Sequence, residues 1–183
     1  MSTDKNKKLM DLVLTAMFLA IALILPFFSA QIKEIGNMLL PMHIPVMLCG
    51  LICGWQYGLT IGFIAPILRS ALFGMPVMFP SAISMAFELA TYGLVIGILF
   101  QKSRWKCIKS LYRCLLISMV AGRVVWGIVQ CIILGFGDNG FTISMFVSSA
   151  IVKAGPGIIL QLMLIPTVML MLGKTHLVHM NKE

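Results

Sequence analysis

Hydrophobic positions in this chain come in long unbroken runs. From Ile35 to Phe100 only Arg69 and Glu88 carry a formal charge, set among Leu, Ile, Met, Phe, Gly and Pro. One bilayer crossing takes about 20 such residues, so this run alone holds several. Leu12 to Phe28 and Gly157 to Leu172 are apolar on every face, whereas the strands of a membrane barrel alternate apolar and polar over about 10 residues. The pattern predicts an all-α polytopic membrane protein, a compact bundle of six transmembrane helices over 10–28, 40–54, 56–72, 81–101, 112–135 and 146–172. Pro41 and Pro45 interrupt the start of the second, which is expected to be short or broken because each removes a helical hydrogen bond.

The polar segments between the runs set the orientation. Lys5, Lys7 and Lys8 precede the first span; Lys102, Arg104, Lys106, Lys109 and Arg113 lie between the fourth and fifth; Lys174 and Lys182 follow the sixth. With six spans all three groups fall on one side, and short loops rich in Lys and Arg stay in the cytoplasm. Both termini are therefore expected to be cytoplasmic. The loops on the other side, 29–39, 73–80 and 136–145, hold only Lys33, Glu34 and Asp138. The first run lacks a small-x-small cleavage site and reads as a retained helix. The whole of 1–183 reads as a single domain.

Composition agrees: 60% hydrophobic, 11% charged, mean hydropathy +1.00. The net charge of +8 is explained by topology, and no nucleic-acid partner is expected, since the basic residues sit between spans and form no polar face. The five cysteines lie in or beside apolar runs and read as small packing residues. No metal or cofactor site is expected. Cys49 and Cys53 share a helical face but no further Cys or His completes a ligand set. Gly-x-Ser-x-Gly, His-Glu-x-x-His and the nucleotide-binding Gly-rich loop are all missing, so the chain does not read as an enzyme.

What remains is a set of polar groups inside the spans, where an ionisable residue faces a partner or a wet cavity. At about 1.5 Å of rise per residue, His43, Arg69, Glu88, Gln130 and Lys153 fall in the outer half, with Arg123 and Gln161 nearer the middle. Together they describe a cavity open to the exterior. Each has a plainer reading: Arg69 and Lys153 as snorkelling bases, Glu88 as the structural partner of Arg123, His43 as a donor to carbonyls freed by the flanking prolines. Tyr92 lies one turn from Glu88 and Trp126 one turn from Arg123, so a ring can stand beside each charge, as pocket wall or as packing. Trp55 and Trp105 read as interface anchors. On the first span Ala16 and Ala20 are four apart, with Ala22 close by, a flat strip that lets another helix approach.

The six spans, the Ala16-x-x-x-Ala20 face, the stretch Leu40-Pro41-Met42-His43-Ile44-Pro45-Val46 leading to Gly50 and Gly54, and Ala65-Pro66-Ile67-Leu68-Arg69-Ser70 together resemble the substrate-binding (S) components of energy-coupling factor (ECF) vitamin transporters. Within them the chain looks most like the general branch with pantothenate- and folate-type components. The resemblance implies a multi-pass protein of the bacterial plasma membrane that captures a vitamin or precursor from outside. It also implies partners: a transmembrane T component, docked on Ala16 and Ala20, and two ATPase subunits that drive the S component to topple. The lid would be about Ser29 to Leu40. The site would draw on His43, Arg69, Glu88, Tyr92, Arg123, Trp126, Gln130 and Lys153, whose bases favour a carboxylate-bearing ligand such as pantothenate. The alternative from another class is a self-sufficient secondary carrier with Glu88 as the coupling group.

Overall fold

The computed structural model describes residues 2–29, 41–103, 107–135 and 155–174. The expected lid beyond Ser29, Trp105 and Lys153 lie outside the described residues. Six helices carry the architecture among the described residues: α1 Ser2–Ser29, α2 His43–Ile52, α3 Trp55–Phe73, α4 Ile83–Lys102, α5 Ile108–Leu134 and α6 Gly155–Lys174. A short wide turn, Met78–Ala82, leads into α4 and holds Phe79 extended at φ −122°, ψ 129°. Every regular element among the described residues is helical, as the hydrophobic runs require. Among the described residues, three segments are long and apolar enough to cross a membrane by themselves: Lys5–Pro26, Met78–Lys102 and Ile108–Leu134. The apolar helices His43–Ile52 and Gly157–Leu172 are shorter.

One helix start lies well outside expectation: α1 begins at Ser2, eight residues before the expected span, whereas α2, α3, α4 and α5 begin within four residues of theirs. Lys and Leu are good helix formers in water as in lipid, so the apolar edge marks a change of solvent and leaves the helix running. The second span is short, as the prolines demanded. Pro45 sits in its first turn, where the backbone N–H has no intrahelical partner to lose.

Contacts fix the direction of five helices. Thr15 of α1 approaches Cys49 near the end of α2, at 3.9 Å between Oγ1 and Sγ. Arg69 near the end of α3 reaches the Leu23 carbonyl near the end of α1. Gly97 near the end of α4 lies on the backbone of Trp55 at the start of α3. Ser103 and Ser110 bridge the end of α4 to the start of α5. Helices α1 to α5 therefore alternate up and down, and exposed Lys5, Lys7, Lys8, Lys102, Lys109 and Arg113 gather at one end of the bundle. The link from Gly74 to Ala82 and the end of α5 form the other.

α2, α3 and α4 meet backbone to backbone. A Cβ on Gly58 would stand 2.7 Å from the Gly50 Cα and 2.9 Å from the Gly93 carbonyl oxygen, and one on Gly62 would strike the Leu89 carbonyl. Lipid tails are as apolar as leucine, so helices in a membrane gain little by hiding hydrocarbon from one another. Close approach and the dispersion contacts it permits hold them instead. Gly54, at φ +105°, turns the chain between α2 and α3 in a conformation that side chains avoid.

Candidate functional site

α4 occupies the middle of the bundle, packed against α2, α3 and α5. Its buried stripe runs Ser84, Glu88, Tyr92 and Ile96 at one-turn spacing, which turns the only acid in the 35–100 stretch inward. Glu88 is 2% exposed, and one of its oxygens, Oε1, collects three neighbours. The Tyr92 hydroxyl donates to it at 2.8 Å. Arg123 Nη1 from α5 lies 3.1 Å away, and His43 Nε2 from the first turn of α2 lies 3.7 Å away. The His43 and Tyr92 rings stack obliquely, 5.2 Å between centroids at 55°. Glycine makes the room: a Cβ on Gly122 would enter the Tyr92 ring, 2.6 Å from Cδ1.

An isolated carboxylate in such surroundings would be expelled or neutralised, so the Arg123 pair is what keeps Glu88 inside. The two formal charges cancel. His43 does not hydrogen-bond backbone carbonyls freed by its prolines, the plainer role open to it; neither ring nitrogen makes a hydrogen bond.

The other expected site residues divide. Gln130 is buried and donates through Nε2 to Ser84 Oγ at 3.0 Å, while Ser84 contacts the carbonyls of Pro80 and Ser81, bracing the wide turn to α5. Arg69 donates to the Leu23 carbonyl at 3.0 Å and stands 6.0 Å over the Phe73 ring. Pro26 lies three residues beyond Leu23 on α1, where it lacks the N–H that would bond the Ala22 carbonyl. Arg69 thus ties α3 to α1. Trp126 is half-buried on α5, one turn from Arg123.

Ala16 and Ala20 both lie exposed on α1, together with Leu9, Leu12, Val13, Met17 and Ile24. Ala22, expected beside them, faces the core at 0% exposure, two residues past Ala20 and so on the other side of the helix. An open notch of about 220 Å³ is lined by Cys53, Gly54, Trp55, Gln56 and Gln101 at the basic end. Gln101 is 13 residues beyond Glu88 on α4, about 20 Å along the axis, so the notch is separate from the polar cluster. Among the described residues no three His, Cys, Asp or Glu side chains gather as a metal site would need.

The reading from residues overlooked Gly122, which seats Tyr92, and counted Gln161 among the in-span polar groups without naming it a site residue; it is buried at 2% on α6. The signal for both was present: a glycine one residue before an in-membrane arginine, and an uncharged polar residue on a stripe that is otherwise Gly157, Ile165 and Met169.

Set against known families, the chain matches the ECF transporter, substrate-specific component, over residues 10–173, nearly its whole length. It belongs to that family. Comparison with curated proteins and with solved structures gives no significant match. As a substrate-specific component the chain is a transport subunit of the membrane, built to bind a small substrate and to associate with T and ATPase components.

Proposed function

We propose that the chain, as one domain over 1–183, captures a water-soluble vitamin or vitamin precursor at the outer side of a bacterial plasma membrane and hands it inward when the T component and two ATPases act on it. The observation that carries this reading is the family match over residues 10–173. Six spans with both termini in the cytoplasm fit the gathering of basic side chains at one end of the bundle. The Glu88 cluster then lies towards the outer side. His43, Tyr92, Arg123 and Trp126 form its walls, with Gln130 and Arg69 above; Lys153 and a lid at 29–40 are what the family resemblance adds to the site. Exposed Ala16 and Ala20 are the docking strip for the T component, where small side chains permit close helix approach.

Pantothenate, favoured by the basic residues of the sequence, is the first substrate to test. In cells carrying the T component and ATPases, expression of this chain is expected to confer uptake of labelled pantothenate or another water-soluble vitamin, and ATPase-dead partners to abolish it. Transport by the purified chain alone in liposomes contradicts the reading.

A further inference from the structure

Among the described residues, four buried side-chain polar atoms have no hydrogen-bond partner: Nδ1 and Nε2 of His43, Nε of Arg123 and Nε2 of Gln161. A buried group left unpaired is expensive, and folded proteins leave few, so His43 and Arg123, which share the Glu88 oxygen at 3.7 and 3.1 Å, mark a place where something else binds. With Gln161, the unpaired groups sit on α2, α5 and α6. Helix α6 packs against both of the others, and Gln161 belongs to its buried stripe, with Gly157, Ile165 and Met169. His43 and Gln161 are 1% and 2% exposed, too deep for bulk water to satisfy them.

The chemistry of the set is specific. Arg123 already gives one guanidinium nitrogen to Glu88, and the pair is neutral as a whole. His43 Nε2 faces the Glu88 oxygen at 3.7 Å, beyond hydrogen-bond length; in the tautomer that carries its proton on Nε2, Nδ1 is an acceptor. Gln161 Nε2 and Arg123 Nε are donors only. Two donors and one acceptor, with no net charge, do not call for a carboxylate. They suit a group that carries a carbonyl beside an N–H.

We propose, resting on the substrate-binding reading above, that these three side chains form the inner end of the ligand site and recognise an uncharged amide-type edge of the substrate. Its carbonyl oxygen accepts from Gln161 and Arg123 Nε, and its N–H donates to His43 Nδ1. The class is an amide, lactam, imide or ureido group; any carboxylate of the substrate stays at the outer end. Glu88 is a positioning residue that holds His43 and Arg123 and does not touch substrate.

The test uses the full chain purified in detergent. Pantothenate, biotin, riboflavin and nicotinamide carry such an edge; thiamine and pyridoxamine do not. At least one of the first four is expected to raise the Tm of the wild-type chain, because a ligand bound only by the folded state stabilises it, and neither of the last two is. Gln161→Met keeps the length of the side chain and removes the orphaned amide. Without ligand it is expected to raise the Tm by about 2–4 °C. It should also weaken binding of the stabilising compound by roughly tenfold or more. Stabilisation by thiamine or pyridoxamine alone overturns this inference and leaves the vitamin-binding reading standing. So does a lowered Tm in Gln161→Met, which would mean that Gln161 already has a partner, or unchanged affinity in that variant. No shift with any of the six compounds, in a folded sample, counts against both. The compound series on the wild-type chain decides the matter even if the variant does not fold.

Discussion

α1 and α4 are similar in hydropathy and opposite in use. Half of the α4 span, 50%, is buried inside the bundle, against 17% of the α1 span. α4 touches its neighbours through glycines and turns Glu88 and Tyr92 inward, and everything polar about the site is arranged around it. α1 is held by Phe18, Ala22 and the Arg69 tie, and leaves a stripe of Leu, Val, Met, Ile and two alanines facing outward. In a membrane an apolar outer face carries no penalty, so hydrophobicity cannot tell the helix that organises the fold from the helix that leaves a face uncovered. Residue size and the location of charge can.

The largest effect should come from breaking the ion pair on α4. Glu88→Gln alone leaves Arg123 buried without its counter-charge and should destabilise the bundle by about 3–5 kcal/mol in thermal or denaturant unfolding. Glu88→Gln with Arg123→Met should recover most of that loss. Close behind is the glycine seam. Gly93→Val would drive a side chain into the Gly58 backbone, which cannot move aside as a side chain would, and should cost about 3 kcal/mol. On the other helix the effects shrink. Arg69→Gln should cost about 1.5 kcal/mol, the low end for a hydrogen bond from a charged group, and should raise hydrogen exchange in α1 more than in α4. Smallest in energy is a pair of labels in a cysteine-free background. Ser103→Cys should react only with reagents on the cytoplasmic side, and Met75→Cys, which is well exposed, only from outside. Labelling from the reverse sides would invert the site and remove the external capture of substrate.

Much of this was legible in the residues. The apolar runs give the helices, and one-turn spacing gives the Glu88 and Tyr92 pair. The rarity of charge points to Arg123 as the counter-ion. Three features were harder to read, each for a physical reason. Gly50, Gly54, Gly58 and Gly62 recur every four residues, as do Gly93 and Gly97, yet spacing alone does not say which helix a small-residue face will meet. Nothing in the spacing tells that Arg69, 46 positions after Leu23, donates to the Leu23 carbonyl and ties α3 to α1. The start of α1 is hidden because water and lipid both accept a helix of Lys and Leu, so the apolar edge reports only the membrane surface.

In the proposed function, α1 presents Ala16 and Ala20 to a partner, while the polar groups gathered around α4 from the neighbouring helices bind substrate without that partner. The measurement that tests it most directly is affinity purification of the tagged chain from membranes that also contain the T component and ATPases, compared with the Ala16→Trp, Ala20→Trp variant. The wild-type chain should bring all the partners with it, and the variant should come alone, folded and still stabilised by the same vitamin. Partners retained by the variant, or a wild-type chain that purifies without them, would contradict it.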